Sequence, residues 1–150
     1  MPNPLANILV CEDDEVQREI IRDILTESGY AVEAAASAED ALSALDAESF
    51  DLLLTDLRMP GTSGLDLLPR AKHARPDLAV VIMTAYATVQ TAVKAMKEGA
   101  SDYLAKPFDK DELLLTIQTN LERVSLRREN AQLRAMLKTA YSYDHIVGPS

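Results

Sequence analysis

The chain holds 150 residues, 47% of them hydrophobic and 26% charged, a globular balance that argues against global disorder and suits one domain with a short appendage. Such a length buries roughly two-thirds of the unfolded surface, so neither metal nor disulfide is needed for a core; the single cysteine, Cys11, excludes an internal disulfide and fits a reducing compartment. The net charge of −9 is uneven: residues 1–120 carry −11 and residues 121–150 carry +2, and an acidic body has no long-range attraction for nucleic acid or an anionic membrane. Met1-Pro-Asn-Pro4 has neither a basic start nor a long apolar run, and the longest apolar stretch, Leu78 to Met83, is too short to span a bilayer. A soluble, cytoplasmic protein is expected.

Strand-like and helix-like periodicity alternate five times along the chain. Asn7-Ile-Leu-Val-Cys11 reads as a first strand. Val16, Ile20, Ile21, Ile24 and Leu25 then share one helical face, which Gly29 closes. Tyr30 to Ala35 reads as a second strand, and Ser37 caps a helix that carries Ala38, Ala41, Leu42 and Leu45 inward. Leu52-Leu-Leu-Thr55 lacks polar alternation, as expected of a strand buried on both faces. A loop with Gly61 and Gly64 leads to a helix from Leu65 to about Ala74, in which Pro69 predicts a late start or a kink.

Leu78 to Met83 reads as a fourth strand. Val89, Ala92, Val93 and Met96 predict the inner face of a fourth helix closed by Gly99, and Asp102-Tyr-Leu-Ala105 a fifth strand. Asp109-x-x-Glu112 has capping-box spacing and opens a long last helix. Five β-then-α units with apolar strands predict an α/β fold, a doubly wound parallel sheet with right-handed crossovers and helices on both faces.

The last helix outruns this domain. Leu113, Leu114, Ile117, Leu121 and Val124 suit inward packing, yet no helix breaker follows until Gly148. Beyond Val124 the phase slips and Leu126, Asn130, Leu133, Leu137 and Ala140 step by four and three, a heptad seam with one polar residue. The expected organisation is a domain over 1–120, a helical linker over 121–143 that pairs with a second copy, and the start of a further domain at 144–150. Tyr141 to Ser150 reads as linker, and the chain as a piece of a longer protein.

Ligand sites of open parallel sheets lie beyond the carboxyl ends of the strands. At that rim fall Glu12-Asp13-Asp14-Glu15, Asp56, Thr84 and Lys106. Each alone has a plainer reading: first-turn acids favoured by the helix dipole, a turn cap, a loop hydroxyl, a surface lysine. Together, at one edge, they form a candidate site. Clustered carboxylates attract a hard cation such as Mg²⁺, and a charge-balanced Asp56 suits nucleophilic attack on phosphorus. Metal, lysine and hydroxyl would stabilise the transferring phosphoryl oxygens. No glycine-rich nucleotide loop exists, and His73 and His145 lie off the rim.

The stretches Ile8-Leu-Val-Cys-Glu-Asp-Asp14, Leu54-Thr-Asp-Leu-Arg-Met-Pro-Gly61, Ile82-Met-Thr-Ala85 and Tyr103-Leu-Ala-Lys-Pro-Phe108 together resemble the receiver domain of two-component response regulators, over about residues 5–120. The resemblance implies the flavodoxin-like strand order 2-1-3-4-5 and Asp56 as acceptor of a phosphoryl group from a histidine kinase. It implies Mg²⁺ held by Asp13, Asp56, the Arg58 backbone carbonyl and, through water, Glu12. Lys106 would pair with the phosphoryl group, and the peptide before Pro107 would be cis. Thr84 and Tyr103 correspond to a switch pair that reshapes the face of helix four, strand five and helix five, a face that together with the C-terminal helix or instead of it would pair two copies, while Arg58 and Tyr86 occupy positions that tune phosphate lifetime.

Ile146-Val-Gly-Pro-Ser150 after a helical linker further resembles sigma-54-dependent transcriptional activators, in which an AAA+ ATPase and a DNA-binding domain follow. DNA contact would then belong to those domains, and Arg123, Arg127, Arg128, Arg134 and Lys138 would be surface charges of the linker helix. Two rivals remain at this point. An aspartate-based phosphohydrolase would carry a second acid two residues after its nucleophile, where this chain has Arg58. A constitutive dimerisation module with a vestigial rim would signal unchanged after Asp56→Asn. The leading reading is a phosphoacceptor and not a turnover enzyme.

Overall fold

A computed structural model describes residues 4–147, with side chains to Thr139. The expected alternation is present: β1 (Asn7–Cys11), α1 (Glu15–Glu27), β2 (Ala31–Ala35), α2 (Ala38–Ala47), β3 (Leu52–Asp56), α3 (Gly64–Ala74), β4 (Ala79–Thr84), α4 (Val89–Lys97), β5 (Asp102–Ala105) and α5 (Lys110–Val147). The five strands are all parallel, in the order β2-β1-β3-β4-β5. The fold is therefore the doubly wound α/β sheet expected of the sequence, with a long C-terminal helix.

Strand side chains alternate between the faces, and the two cores follow that parity. Leu9, Cys11, Leu53, Val80 and Ile82 face α2, α3 and α4, joined by Ala38, Ala41, Leu45, Leu67, Leu68, Ala71 and Ala95. Ile8, Val10, Leu52, Leu54, Val81 and Met83 face α1 and α5, against Ile21, Leu25, Leu113, Ile117 and Val124. β3 and β4 are buried along their whole length, so their uninterrupted apolar character is explained by contact on both sides.

Several boundaries and faces differ from the sequence reading. β2 begins at Ala31, because the Tyr30 amide still donates to the Leu25 carbonyl (3.2 Å) at the end of α1. β4 begins at Ala79, since the Leu78 amide donates to Arg75 in the preceding turn (3.0 Å). α3 does not start late: Ser63 caps it by accepting from the Asp66 amide, and the helix runs through Pro69. Pro69 is exposed, so the helical bond it cannot make is lost on the solvent side, where water can satisfy the carbonyl one turn back.

The apolar stripe of α4 is the clearest reversal. Val89 (80% exposed), Val93 (46%) and Met96 (49%) point outward, and Ala95 alone is fully buried, because only a small side chain fits where this helix lies against the sheet. On α1, likewise, Val16 and Ile20 are exposed while Ile21 and Leu25 are buried. Spacing identifies which residues share a face, not which face meets the sheet.

α5 opens at Asp109, whose carboxylate accepts from the Glu112 amide (2.7 Å). It buries Leu113, Ile117 and Val124 with Leu114 and Leu121 half-buried, then continues as one helix to Val147, past the linker start read at Tyr141. No glycine or proline interrupts it before Gly148. The further domain read at 144–150 falls wholly outside the described side chains, and Gly148 to Ser150 lie outside the described residues altogether. Leu126, Leu133 and Leu137 of the expected seam are 63%, 51% and 69% exposed.

Arg128 is not a free surface charge. Its guanidinium donates to Asp51 Oδ1 (2.8 Å) and to Asp77 Oδ2 (3.3 Å), carboxylates of the turns that precede β3 and β4. Asp51 Oδ2 in turn accepts from the Asn7 amide at the start of β1 (2.8 Å). This clamp ties the helix to the amino ends of the strands just as its apolar packing runs out. No described helix is long and apolar enough to cross a membrane.

Candidate functional site

β1, β3, β4 and β5 deliver their last residues to one rim, and strand parity decides what meets there. Glu12 and Asp56 continue the face that packs on α1 and α5, whereas Thr84 continues the face that packs on α2 to α4. The Glu12 amide still donates to Ala35 (3.0 Å), which holds the first acid in the sheet's ladder. Glu12 is 1% exposed and Asp56 9%.

The acidic run divides by task. Asp14 caps α1 by accepting from the Gln17 amide, and Glu15 sits in the first turn, so the plain helix-dipole reading holds for these two. Glu12 and Asp13 do not cap. With Asp56 they place carboxylate oxygens within 4.8 Å of one another.

Lys106, from the loop between β5 and α5, closes the rim. Its ammonium donates to Glu12 Oε1 (2.6 Å), Asp56 Oδ2 (2.9 Å) and Gln17 Oε1 (2.8 Å), using all three N–H bonds. Asp56 Oδ1 accepts from the Arg58 amide (3.3 Å). Burial pushes the Glu12 carboxyl from its ordinary 4.5 up to about 7, with Asp56 adding to the rise and Lys106 opposing it. Burial works against the charge on Lys106 too, but its bonds to Glu12 and Asp56 outweigh that and hold its pKa above the ordinary lysine value. The peptide between Lys106 and Pro107 is cis.

Thr84, fully buried at the end of β4, accepts from the Tyr86 amide (3.0 Å). Tyr103 packs its half-buried ring against the α2–α4 core and shares a hydrogen bond between its hydroxyl and that of Thr91 on α4 (2.8 Å). Thr91 also completes the capping box of α4 with Thr88. Arg58 and Tyr86, from the loops after β3 and β4, meet over the rim: the guanidinium carbon lies 4.0 Å from the ring centroid, a cation–π contact.

Gly64 supports the site from behind. A Cβ there would lie 2.2 Å from the Asp56 carbonyl oxygen and 3.0 Å from the Leu57 Cα. Only glycine lets α3 begin this close to the residue at the centre of the rim.

The structure brings Glu12, Asp13, Asp56 and Lys106 together, while the Thr84 hydroxyl at the end of β4 is held by the Tyr86 amide and the Tyr103 hydroxyl by Thr91. Sequence reasoning missed Gln17 and Thr91. Gln17 stands one turn after Asp13, at the spacing that returns a helical side chain to the same rim. Thr88-x-x-Thr91 signals the cap of α4 but not the bond to Tyr103. An open apolar cleft adjoins the rim, lined by Ile20, Ile21, Ala85, Pro107 and Phe108 with Gln17 and Lys106 at its inner edge.

A site of three clustered carboxylates, with Asp13 exposed and Glu12 and Asp56 withdrawn from solvent, countered by one lysine can hold a hard divalent cation and present one carboxylate oxygen to an electrophile. Comparison with known proteins identifies the family. The family model of the response regulator receiver domain matches residues 8–118. The DNA-binding transcriptional regulator NtrC of Rhizobium meliloti (strain 1021) is 45% identical over 109 residues, 73% of this chain and 22% of that protein. The regulatory protein AtoC of Escherichia coli (strain K12) is 34% identical over 143 residues, 95% of this chain and 31% of the relative. The chain therefore spans about a quarter of the length of the curated relatives it matches. Among solved structures, NtrX from Brucella abortus in complex with ADP superposes with a TM-score of 0.82 at 35% identity, covering 85% of this chain and 30% of that one. A CheY-like receiver domain protein from Methanospirillum hungatei JF-1 gives 0.79 at 32% identity, covering 82% of this chain and 98% of that one. The chain belongs to the response regulator receiver family, and its relatives include regulators of the NtrC type.

Proposed function

We propose that this chain is a phosphoacceptor that takes a phosphoryl group from a histidine kinase onto Asp56. The observation that carries the reading is the Lys106 ammonium bonded at once to Asp56 and Glu12, at a rim where Asp13 adds a third carboxylate. In the step, an Asp56 carboxylate oxygen forms a bond to phosphorus as the bond from phosphorus to the donor's imidazole nitrogen breaks, and the imidazole leaves with that electron pair. Lys106 moves from Asp56 to the new phosphoryl oxygens.

The donor set fits Mg²⁺, since it is all oxygen and excess negative. Glu12, Asp13, Asp56 and the Arg58 carbonyl would hold it, and when bound it supplies charge compensation for acids and phosphoryl group together. The apolar cleft beside Lys106 suits a docking helix of the kinase, because the donor histidine must arrive over the same rim.

Thr84 and Tyr103 form the switch. The Thr84 hydroxyl, now held by the Tyr86 amide, would turn to a phosphoryl oxygen. Tyr103 would exchange its bond to Thr91 and alter the outer surface of α4, β5 and α5. Arg58 and Tyr86, stacked over the rim, would set how readily water reaches the phosphoryl group. Residues 1–120 act as receiver and 121–143 as the linker that pairs two copies. Residues 144–150 lead into the output domain of a cytoplasmic, sigma-54-dependent activator, where DNA contact belongs.

Arg58 stands where an aspartate-based phosphohydrolase would need its second acid, so steady turnover is not expected. Incubation with Mg²⁺ and phosphoramidate, followed by intact-mass measurement, should add one phosphoryl group per chain and none to Asp56→Asn. Continuous hydrolysis of a phosphomonoester by the chain would overturn the reading in favour of an enzyme.

A further inference from the structure

The three acceptors of the Lys106 ammonium are not alike. Glu12 Oε1 (2.6 Å) and Asp56 Oδ2 (2.9 Å) belong to acids withdrawn from solvent, in the cluster that suits a cation. Gln17 Oε1 (2.8 Å) is neutral, stands on α1 and lies outside that cluster. It alone is neither a metal donor nor an acceptor of the phosphoryl group.

The local sequence makes this bond informative. Asp14 caps α1 and accepts from the Gln17 amide, so Gln17 occupies the third helical position. From there a glutamine side chain ordinarily returns to the N–H of the cap residue and completes a capping box. Here the Asp14 amide donates to Glu12 Oε2 instead (3.4 Å), and the Gln17 carboxamide reaches the loop between β5 and α5, 89 residues away in the chain. A local rule set aside in this way is expected where a site is served. The service is to Lys106. A cation among Glu12, Asp13 and Asp56 repels the ammonium and competes for two of its acceptors. An amide oxygen holds the ammonium without adding a fourth negative charge to the rim.

We propose that Gln17 is a positioning residue of the phosphoacceptor site, whose side-chain oxygen anchors the Lys106 ammonium while Glu12 and Asp56 turn to the cation and the phosphoryl group. This role presupposes Asp56 as the acceptor. As the Asp56 oxygen bonds to phosphorus and the bond to the donor nitrogen breaks, Lys106 exchanges Asp56 Oδ2 for a phosphoryl oxygen and keeps Gln17. The ammonium then swings about a fixed partner instead of being recruited from solvent.

Gln17→Met keeps the side-chain length and removes the acceptor. With Mg²⁺ and phosphoramidate it should slow mass gain of the whole chain about fivefold, the worth of one hydrogen bond that water replaces in part. In a Lys106→Met background the same change should slow nothing further, since its effect runs through the lysine. The Lys106 ammonium gives a second readout that needs no phosphoryl transfer. Its resonance in proton–nitrogen correlation NMR, identified by its loss in Lys106→Met, should persist in the wild type when Mg²⁺ is added. Gln17→Met should broaden it away in Mg²⁺, whereas Gln17→Glu, which keeps an oxygen at that position, should retain it. Equal slowing in both backgrounds, no slowing in either, or an ammonium signal in Mg²⁺ that ignores Gln17→Met overturns the positioning role. A wild-type chain that gains no phosphoryl group overturns the acceptor reading, and the ammonium signal still decides whether Gln17 anchors the lysine.

Discussion

Two sites of the same make-up stand at opposite ends of the sheet, each a cation between two carboxylates. At the carboxyl ends of the strands, the Lys106 side chain is 14% exposed between the side chains of Glu12 (1%) and Asp56 (13%). At the amino ends, Arg128 is 45% exposed between Asp51 (22%) and Asp77 (64%). Water makes the difference. The exposed trio is screened and serves as a tether, worth about 1 kcal/mol or less for each pair. In the buried trio, loss of solvent disfavours the charged carboxylate and Asp56 adds to that against the pull of Lys106, so Glu12 rises to about 7. The same parts make a fastening at one end and a buried, mutually perturbed cluster at the other.

The contrast can be broken most severely at Lys106. Lys106→Met should destabilise the Mg²⁺-free protein by about 3 kcal/mol, because Glu12 and Asp56 are left without a counter-charge. Added Mg²⁺ should return much of that loss, which denaturant titration with and without the ion would read. Gly64→Ala should cost about 2 kcal/mol, since its Cβ meets the Asp56 backbone at 2.2 Å and something must shift. The same variant should slow phosphoryl acceptance, measured as the rate of mass gain, because the displaced backbone carries Asp56, the proposed acceptor.

Acidity sharpens the comparison. The folded state holds the Glu12 proton more tightly than the unfolded chain, whose value is about 4.5. The stability from this group is fully present below pH 4.5 and is lost as pH rises through about 7. Glu12→Gln should therefore gain stability relative to wild type as pH climbs through that window in metal-free buffer. Thermal melts of the two proteins at matched pH values would converge or separate accordingly.

The smallest effect belongs to the tether. Arg128→Ala should lower global stability by about 1 kcal/mol or less, and salt should erase the difference. Amide exchange in α5 beyond Val124 should nonetheless quicken, since the helix loses its last fastening to the domain.

Much of this was legible in the sequence, for reasons particular residues make plain. Uninterrupted apolar runs such as Leu52 to Thr55 announce strands covered on both sides, and charged groups at strand ends announce the rim. What escaped had no such signature. Gln17 and Thr91 carry no charge and look like ordinary helix residues until Lys106 and Tyr103 are seen to bind them. Arg128 is indistinguishable in sequence from its neighbour Arg127, because only the turn geometry brings Asp51 and Asp77 beneath it. The α4 stripe reversed because Ala95, small enough for close contact with the sheet, defines the inner face against three larger residues. Hydrophobicity names a stripe, and shape decides which stripe goes in.

The most direct test of Asp56 as acceptor is reductive trapping. The chain is incubated with Mg²⁺ and phosphoramidate and then treated with borohydride, which converts an aspartyl phosphate to homoserine, and the peptides are mapped by mass spectrometry. Homoserine at position 56 alone is the predicted result. Homoserine at Asp13 or another acid, or an unreduced phosphoryl group on a hydroxyl such as Thr84, would contradict the account.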